Sequence, residues 1–260
     1  MIGDPFDERE HVLSLQGVFA DHAQLEHYVS DGWERIQVVL SLLTHLERKG
    51  IRRILELGSN PYIMTVLMRR RFHVELELAN YFDEGLRATE SMHLAELEGQ
   101  RIEFPFRHFN IERDTFPYAD HSFDCVLFCE ILEHLLVNPD RAVAEMARIL
   151  RPGGHLIVST PNATRLSNLY LLALGESIWE GYSDHGAYGR HNREFTLVEV
   201  CDLLGRHGFD VAHAEARNIE HLARRFRYVQ WLRPMIWNAH LFVVGRLPSP
   251  DLPKTGADMT

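Results

Sequence analysis

The stretch Arg53-Ile-Leu-Glu-Leu-Gly-Ser-Asn-Pro-Tyr-Ile-Met-Thr-Val-Leu-Met68 runs a short apolar strand into a glycine turn and then into a helix. An α/β sheet grips a nucleoside with such a unit. Gly58 closes the strand where the backbone must turn sharply and approach a ligand without a Cβ, and the helix after it aims unsatisfied N–H groups at the same place. Glu56 adds a carboxylate to the floor. A dinucleotide site needs Gly-x-Gly-x-x-Gly, and this chain offers Gly58, Asn60 and Ile63 at those places, so the expected ligand is a nucleoside without phosphates.

Outward from that stretch the chain alternates. Strands are expected at 53–57, 73–80, 102–109, 124–129 and 154–159, with helices at 61–71, 84–97 and 139–150. Arg151-Pro-Gly-Gly154 ends the last of these helices and turns into the next strand. Thr196-Leu-Val-Glu199 has the spacing of a capping box, which predicts a helix from Leu197 to about His207, stopped by Gly208. A strand at 209–216, a basic helix near 220–232 and a last strand at 240–245 complete the pattern. The expected fold is a Rossmann-like, doubly wound, mostly parallel sheet of seven strands with helices on both faces. Residues 1–50 form a helical N-terminal cap, 51–246 the α/β domain, 161–193 an insertion over the sheet's active edge before the sixth strand, and 247–260 a flexible tail.

Composition narrows the function. With 45% apolar and 25% charged residues the 260-residue chain can bury one sizeable core, and its net charge of −10 works against broad capture of DNA or RNA. The arginine runs at 69–71 and at 224, 225 and 227 are read as solvated helix faces, without a functional role. Cys125, Cys129 and Cys201 lack zinc-type spacing and imply a reducing compartment. The N-terminus shows no basic-then-apolar leader and no apolar run approaches the roughly 18 residues of a membrane span, so the expected location is the cytoplasm.

Three segments together resemble the class I S-adenosylmethionine-dependent methyltransferases over about residues 50–246. They are Leu55-Glu-Leu-Gly-Ser-Asn60, the acidic run Asn110 to Asp124, and Cys129-Glu-Ile-Leu-Glu-His134 followed by Leu150-Arg-Pro-Gly-Gly154. The resemblance implies S-adenosylmethionine as methyl donor, contacted by Glu56, Gly58, Ser59, Asn60, Asn80, Tyr81, Asn110, Ile111 and Glu130. Glu56 and Gly58 would lie near the methionyl amino and carboxylate groups, and Asn110 and Ile111 at the adenine edge. Where the family ends its second strand on an acid that takes the ribose hydroxyls, this chain has Asn80, with Glu77 as the alternative. Asn60 stands at the second glycine.

A hydroxyl acceptor must lose its proton as the new bond forms, so a base within hydrogen-bond reach is expected. Glu133, His134 and His191 are the candidate catalytic residues, and His185 is a further candidate base. The Glu-x-x-Glu-His spacing is similar to that of small-RNA 2′-O-methyltransferases, which bind Mg²⁺, but the same pair recurs in metal-free relatives and only His191 follows residue 185 in this segment. No metal ligand is assigned, and Mg²⁺ stays an option. Gly189-Arg-His-Asn-Arg-Glu-Phe-Thr196 resembles a segment of bacterial polysaccharide and glycolipid O-methyltransferases. With Trp179, Tyr182 and Tyr188 before it, the acceptor expected is a sugar hydroxyl on a saccharide or glycolipid. The alternatives are another small-molecule hydroxyl (phenol, quinone precursor or polyketide), a non-catalytic S-adenosylmethionine-binding protein, or a nucleoside-binding oxidoreductase. No nucleic acid partner and no membrane span are expected, and a homodimer stays open.

Overall fold

The computed structural model describes residues 5–82, 90–179, 181–182, 186, 188–218 and 239–249, which fall into two units, 1–117 and 118–260. The first starts with the helical preface, α1 (Pro5–Leu13) and α2 (His22–Arg48). Asp21 caps α2 by accepting from the Gln24 amide at 2.9 Å. One stripe of α2 is buried, Leu25, Val29, Ile36, Val39, Leu40, Leu43 and Leu46, at the three- and four-residue steps seen in the sequence.

Next come β1 (Arg53–Leu57), α3 (Ile63–Arg71) and β2 (Glu75–Asn80). The strand β1 is buried from Ile54 onward and runs parallel to β2, with Leu55 opposite Glu77. Arg71 departs from the solvated-face reading: its guanidinium pairs with the buried carboxylate of Glu8 in α1 and donates to Gln37 of α2 at 2.7 Å. A buried charge must be paired, and this pair ties the preface to α3. The second arginine run, with the expected helix at 220–232, lies outside the described residues.

The helix expected at 84–97 is corrected by the structure. Residues 90–97 form a strand, β3 (Glu90–Leu97), antiparallel to β4 (Gln100–His108); the remainder of the expected helix, up to residue 89, lies outside the described residues. Leu97 sits opposite Gln100, so Glu98 and Gly99 alone make the turn, both at positive φ (50° and 75°). A two-residue turn of that hand matches strand twist, and it overrides the helix-favouring Ala, Leu, Met and Glu content before it. The free edge of β3 is covered where Gln16 and Glu96 exchange backbone hydrogen bonds at 2.8 and 3.0 Å. The strand order in this unit is β3-β4-β2-β1, with β4 parallel to β2.

The second unit holds β5 (Phe123–Cys129), a 3₁₀ turn at Leu132–His134, α4 (Asp140–Ile149), β6 (Leu150–Pro161), α5 (Leu166–Ala173), α6 (Leu197–Arg206), β7 (Asp210–Arg217) and β8 (His240–Arg246). Its strand order is β5-β6-β8-β7. The pair β5–β6 is parallel; β6–β8 and β7–β8 are antiparallel. Every β5 residue from Phe123 to Phe128 is buried, as in a strand covered on both faces. The capping box forms as expected: the Glu199 amide donates to Thr196 Oγ1 and the Thr196 amide to Glu199 Oε2 at 2.8 Å. The expected acceptor-side insertion contains α5, which no periodicity announced.

The fold class is the expected Rossmann-like α/β arrangement, with eight strands among the described residues where seven were expected, β3 being the addition. Of the expected flexible tail, 247–249 are described and 250–260 lie outside. Among the described residues no helix is long and apolar enough to cross a membrane.

Gly154 gives the first test. A Cβ there would lie 2.8 Å from the Arg151 carbonyl oxygen and 3.3 Å from that of Asp124, and neither backbone atom can swing aside. Gly154→Ala should lower stability by roughly 1–3 kcal/mol in urea unfolding. An unchanged midpoint would show that this turn relaxes freely.

Candidate active site

In the first unit, β1, β2 and β4 run parallel, so the segments after them gather at one edge. Gly58 turns with φ 62°, and its amide donates to the Ala79 carbonyl at 2.8 Å. A side chain here would be strained, which is the physical reason for glycine.

Asn80 holds the loop that follows. Its Oδ1 accepts from the Asn60 amide at 2.9 Å, and its Nδ2 donates to Ser59 Oγ at 2.9 Å and to the Tyr62 hydroxyl at 3.3 Å. An aspartate could accept the first bond but not supply the others, so an amide rather than an acid suits this position. Tyr62, which the sequence reading passed over, is wholly buried and stacks on Phe104 at 4.2 Å and 5°. Glu77, the alternative ribose ligand, lies back within β2, 3.5 Å from Arg107.

Glu56 is buried at the end of β1, accepting from Thr65 Oγ1 at 2.5 Å. Burial pushes its pKa up to about 8, against the opposing pull of the Thr65 hydroxyl and of Arg69. A cation brought beside it would draw the proton off, so it is suited to a ligand ammonium. Tyr81 stacks on His108 at 5.3 Å. Asn110 organises its own turn: Oδ1 accepts from the Glu112 amide at 2.9 Å, while its amide donates to Asp114 Oδ2 at 2.7 Å. Ile111 beside it is half-buried.

In the second unit, the ends of β5 and β6 share an edge with the start of the antiparallel β8. Glu130, directly after β5, has φ 54°, and its carboxylate takes Ser159 Oγ at 2.7 Å and His240 Nε2 at 2.9 Å. Glu133 turns elsewhere. Its side chain is wholly buried, Oε2 accepting from Thr160 Oγ1 at 2.9 Å and Oε1 lacking a hydrogen bond among the described residues. Burial, then the charge of Glu130, drives its pKa upward.

His134 and His191 meet edge to face, ring centroids 4.9 Å apart, and one ligand atom from each lies within 4.8 Å of Glu133 and of the other. His134 Nδ1 bonds the Arg190 carbonyl at 2.9 Å, which leaves Nε2 facing Glu133 Oε1 at 4.0 Å. The Asn192 and Arg193 amides donate to the Glu133 carbonyl at 2.7 and 3.1 Å, and Asn192 Nδ2 to that of His134 at 2.9 Å. The two motifs singled out in sequence therefore dock on each other. The three candidate catalytic residues come together, but Glu130 does not join them. His185 lies outside the described residues, and Trp179 and Tyr182 are 60% and 94% exposed. Sequence reasoning missed His240, Ser159, Thr160 and Asn192. The usable signal for His240 was its place at the head of an apolar strand.

Residues 25–214 match the methyltransferase-domain family, well over half of the chain. The chain belongs to that family. Its relatives include the ubiquinone biosynthesis O-methyltransferases of Alkalilimnicola ehrlichii, 30% identical over 174 residues covering 63% of this chain and 66% of that one, and of Photobacterium profundum, 25% identical over 161 residues covering 60% and 65%. The match therefore spans just under two thirds of these relatives' own length. A SAM-dependent methyltransferase from Archaeoglobus fulgidus shares the fold, with a TM-score of 0.53 at 15% identity over 85% of this chain and 99% of that one. The site's features, a left-handed glycine turn and a buried carboxyl that a ligand ammonium would ionise, fit the donor that the resemblance implies.

The methyltransferase should show the Glu56 proton in its stability. The unfolded chain releases it near 4.5 and the native state near 8, so between these values the native state holds the extra proton. Stability then falls as pH rises through that window, by up to about 1.4 kcal/mol per pH unit from this group, and levels above it. Glu56→Gln should flatten this decline in urea unfolding followed from pH 5 to pH 8. Equal slopes in the two proteins would place the proton elsewhere.

Proposed function

We propose that this methyltransferase moves the methyl group of S-adenosylmethionine to a hydroxyl oxygen of a small molecule, a phenol or quinone precursor first among the candidates. The observation that carries it is the set of imidazoles and carboxyls at one edge of the second unit, His134, His191 and Glu133, with His240 and Glu130. Methyl transfer from a sulfonium needs little acid–base help unless the acceptor must lose a proton, as a hydroxyl must. The named activity of the two O-methyltransferase relatives supports the same atom.

The saccharide reading has less support. It rested on the Gly189–Thr196 segment with Trp179, Tyr182 and Tyr188; Trp179 and Tyr182 are exposed, Tyr182 lying under the Arg190 guanidinium at 4.6 Å, and Tyr188 is half-buried. In the phenol reading, Glu56, Gly58, Ser59, Asn60, Asn80, Tyr81, Asn110 and Ile111 serve the donor, Gly58 by backbone approach and Asn80 through the loop it braces. Glu133, His134 and His191 fix Gly189–Thr196, the segment that orients the acceptor.

The metal question turns on donor chemistry. Two imidazole nitrogens and one carboxylate oxygen suit a transition ion, whereas Mg²⁺ prefers an oxygen shell. Turnover by metal-stripped protein should therefore not rise on addition of Mg²⁺, and a rise would restore the Mg²⁺ reading.

Calorimetry with S-adenosylmethionine, followed by a labelled-methyl screen of 3,4-dihydroxybenzoate, other phenols and methyl glycosides, tests the function. We expect donor binding, label on phenols, and loss of donor binding in Gly58→Val. Label confined to glycosides would reinstate the saccharide acceptor, and binding without label on any acceptor would favour a sensor. His134→Ala and His191→Ala should each lower kcat about 10- to 100-fold by loosening the acceptor segment, with donor affinity kept within about twofold.

A further inference from the structure

We infer that His240 is the general base of methyl transfer, held by Glu130, an assignment that rests on the hydroxyl-acceptor reading above. Topology brings the two residues together from 110 positions apart in sequence. Because β8 runs antiparallel to β6, with His240 opposite Pro161, its first residue lands at the edge where β5 and β6 end. Side chains alternate along a strand and directly opposed residues share a face. Pro161 and Ser159 are two apart, so His240 shares a face with Ser159, the residue whose hydroxyl holds Glu130.

Glu130 is fixed from three directions. Its amide donates to the Ser159 carbonyl at 2.8 Å, Oε1 accepts from Ser159 Oγ at 2.7 Å, and Oε2 meets His240 Nε2 at 2.9 Å. Its φ of 54° is costly for a side chain with a Cβ, and such backbone persists where surrounding bonds over-determine it.

A carboxylate only accepts hydrogen bonds, so Nε2 carries the imidazole proton and Nδ1 presents its lone pair. His240 is 8% exposed, and Nδ1 is shielded from solvent with no hydrogen-bond partner among the described residues. Leaving such an acceptor unpaired is unfavourable, and a bound hydroxyl beside it would supply the missing donor. Neither other imidazole has this arrangement. His134 Nδ1 is taken by the Arg190 carbonyl, and His191 Nδ1 lies 3.7 Å from Glu194.

The step balances. An oxygen lone pair of the acceptor forms the new bond to the methyl carbon, the carbon–sulfur bond breaks, and its electron pair stays on sulfur as a neutral thioether. The hydroxyl proton passes to His240 Nδ1. The imidazolium is stabilised by Glu130 until it returns the proton to water.

Two measurements on the full chain decide this. In histidine-¹⁵N-labelled wild type, with the His240 signal identified by its absence in His240→Gln, the neutral ring should be the Nε2–H tautomer; the Nδ1–H tautomer would overturn the assignment. With S-adenosylmethionine and 3,4-dihydroxybenzoate, His240→Gln should lower kcat about 10²- to 10⁴-fold, with donor affinity by calorimetry kept within twofold. Glu130→Gln should also lower kcat and disturb the tautomer, and it tests the pair without altering the strand. Wild-type kcat in His240→Gln would overturn the base. Wild type that binds donor yet methylates neither this phenol nor any other would instead defeat the hydroxyl reading, and the tautomer would still decide the Glu130–His240 geometry.

Discussion

The turn after β1 depends on one side chain amide. Asn80 ends β2, yet its three hydrogen bonds all go to the turn that follows β1, at Asn60, Ser59 and Tyr62. Gly58 can adopt its left-handed turn without steric penalty, but nothing in a glycine holds that turn in place. The constraint comes from the neighbouring strand, and it works only because β1 and β2 are parallel with Leu57 opposite Ala79. A shift of one residue in that register would turn the amide to the other face and leave the loop unbraced.

Burial sets the charge state of the carboxyl beside that loop. Glu56 lies in the floor with one hydroxyl partner, and desolvation outweighs what Thr65 and Arg69 offer the charged form. Glu8 shows the contrasting solution, because it is equally buried but faces the Arg71 guanidinium directly. One acid is supplied with a cation by the fold, and the other waits for one. That difference separates a carboxyl that joins helices from one suited to meeting a ligand.

Local rules were legible in sequence where one segment decided its own conformation. The strand, Gly58 turn and helix and the Thr196–Glu199 capping box each carry their geometry within a few residues and form as expected; α4 stops at Ile149 ahead of Arg151–Gly154, but that segment lies inside β6 instead of in a turn before it. Residues 90–97 misled because Ala, Leu, Met and Glu favour helix, while the decisive feature, the two-residue Glu98-Gly99 turn, lies beyond the segment. Arg71 was misread because its partner is 63 residues away, and His240 was missed because its partner is 110 residues away. Composition reports none of these pairings. Topology does, once the direction of β8 is known.

Glu130 and Glu133 show how little sequence spacing says about direction. Three residues apart in a helix, they would share a side, but the chain takes a left-handed residue and then a 3₁₀ turn. Each carboxyl then finds its own hydroxyl on β6, Ser159 for Glu130 and Thr160 for Glu133. Consecutive residues of a strand point to opposite faces, so the two carboxyls are held by different hydroxyls, although the charge of Glu130 still reaches Glu133. Glu133 goes with His134, His191 and the Asn192 contacts, where backbone carbonyls and amides are used to hold a segment. Glu130 goes with His240, where a ring nitrogen is left without a partner among the described residues. The first arrangement has the bonding of a dock, and the second has the bonding of a site still lacking one donor. The acceptor hydroxyl proposed above would supply that donor.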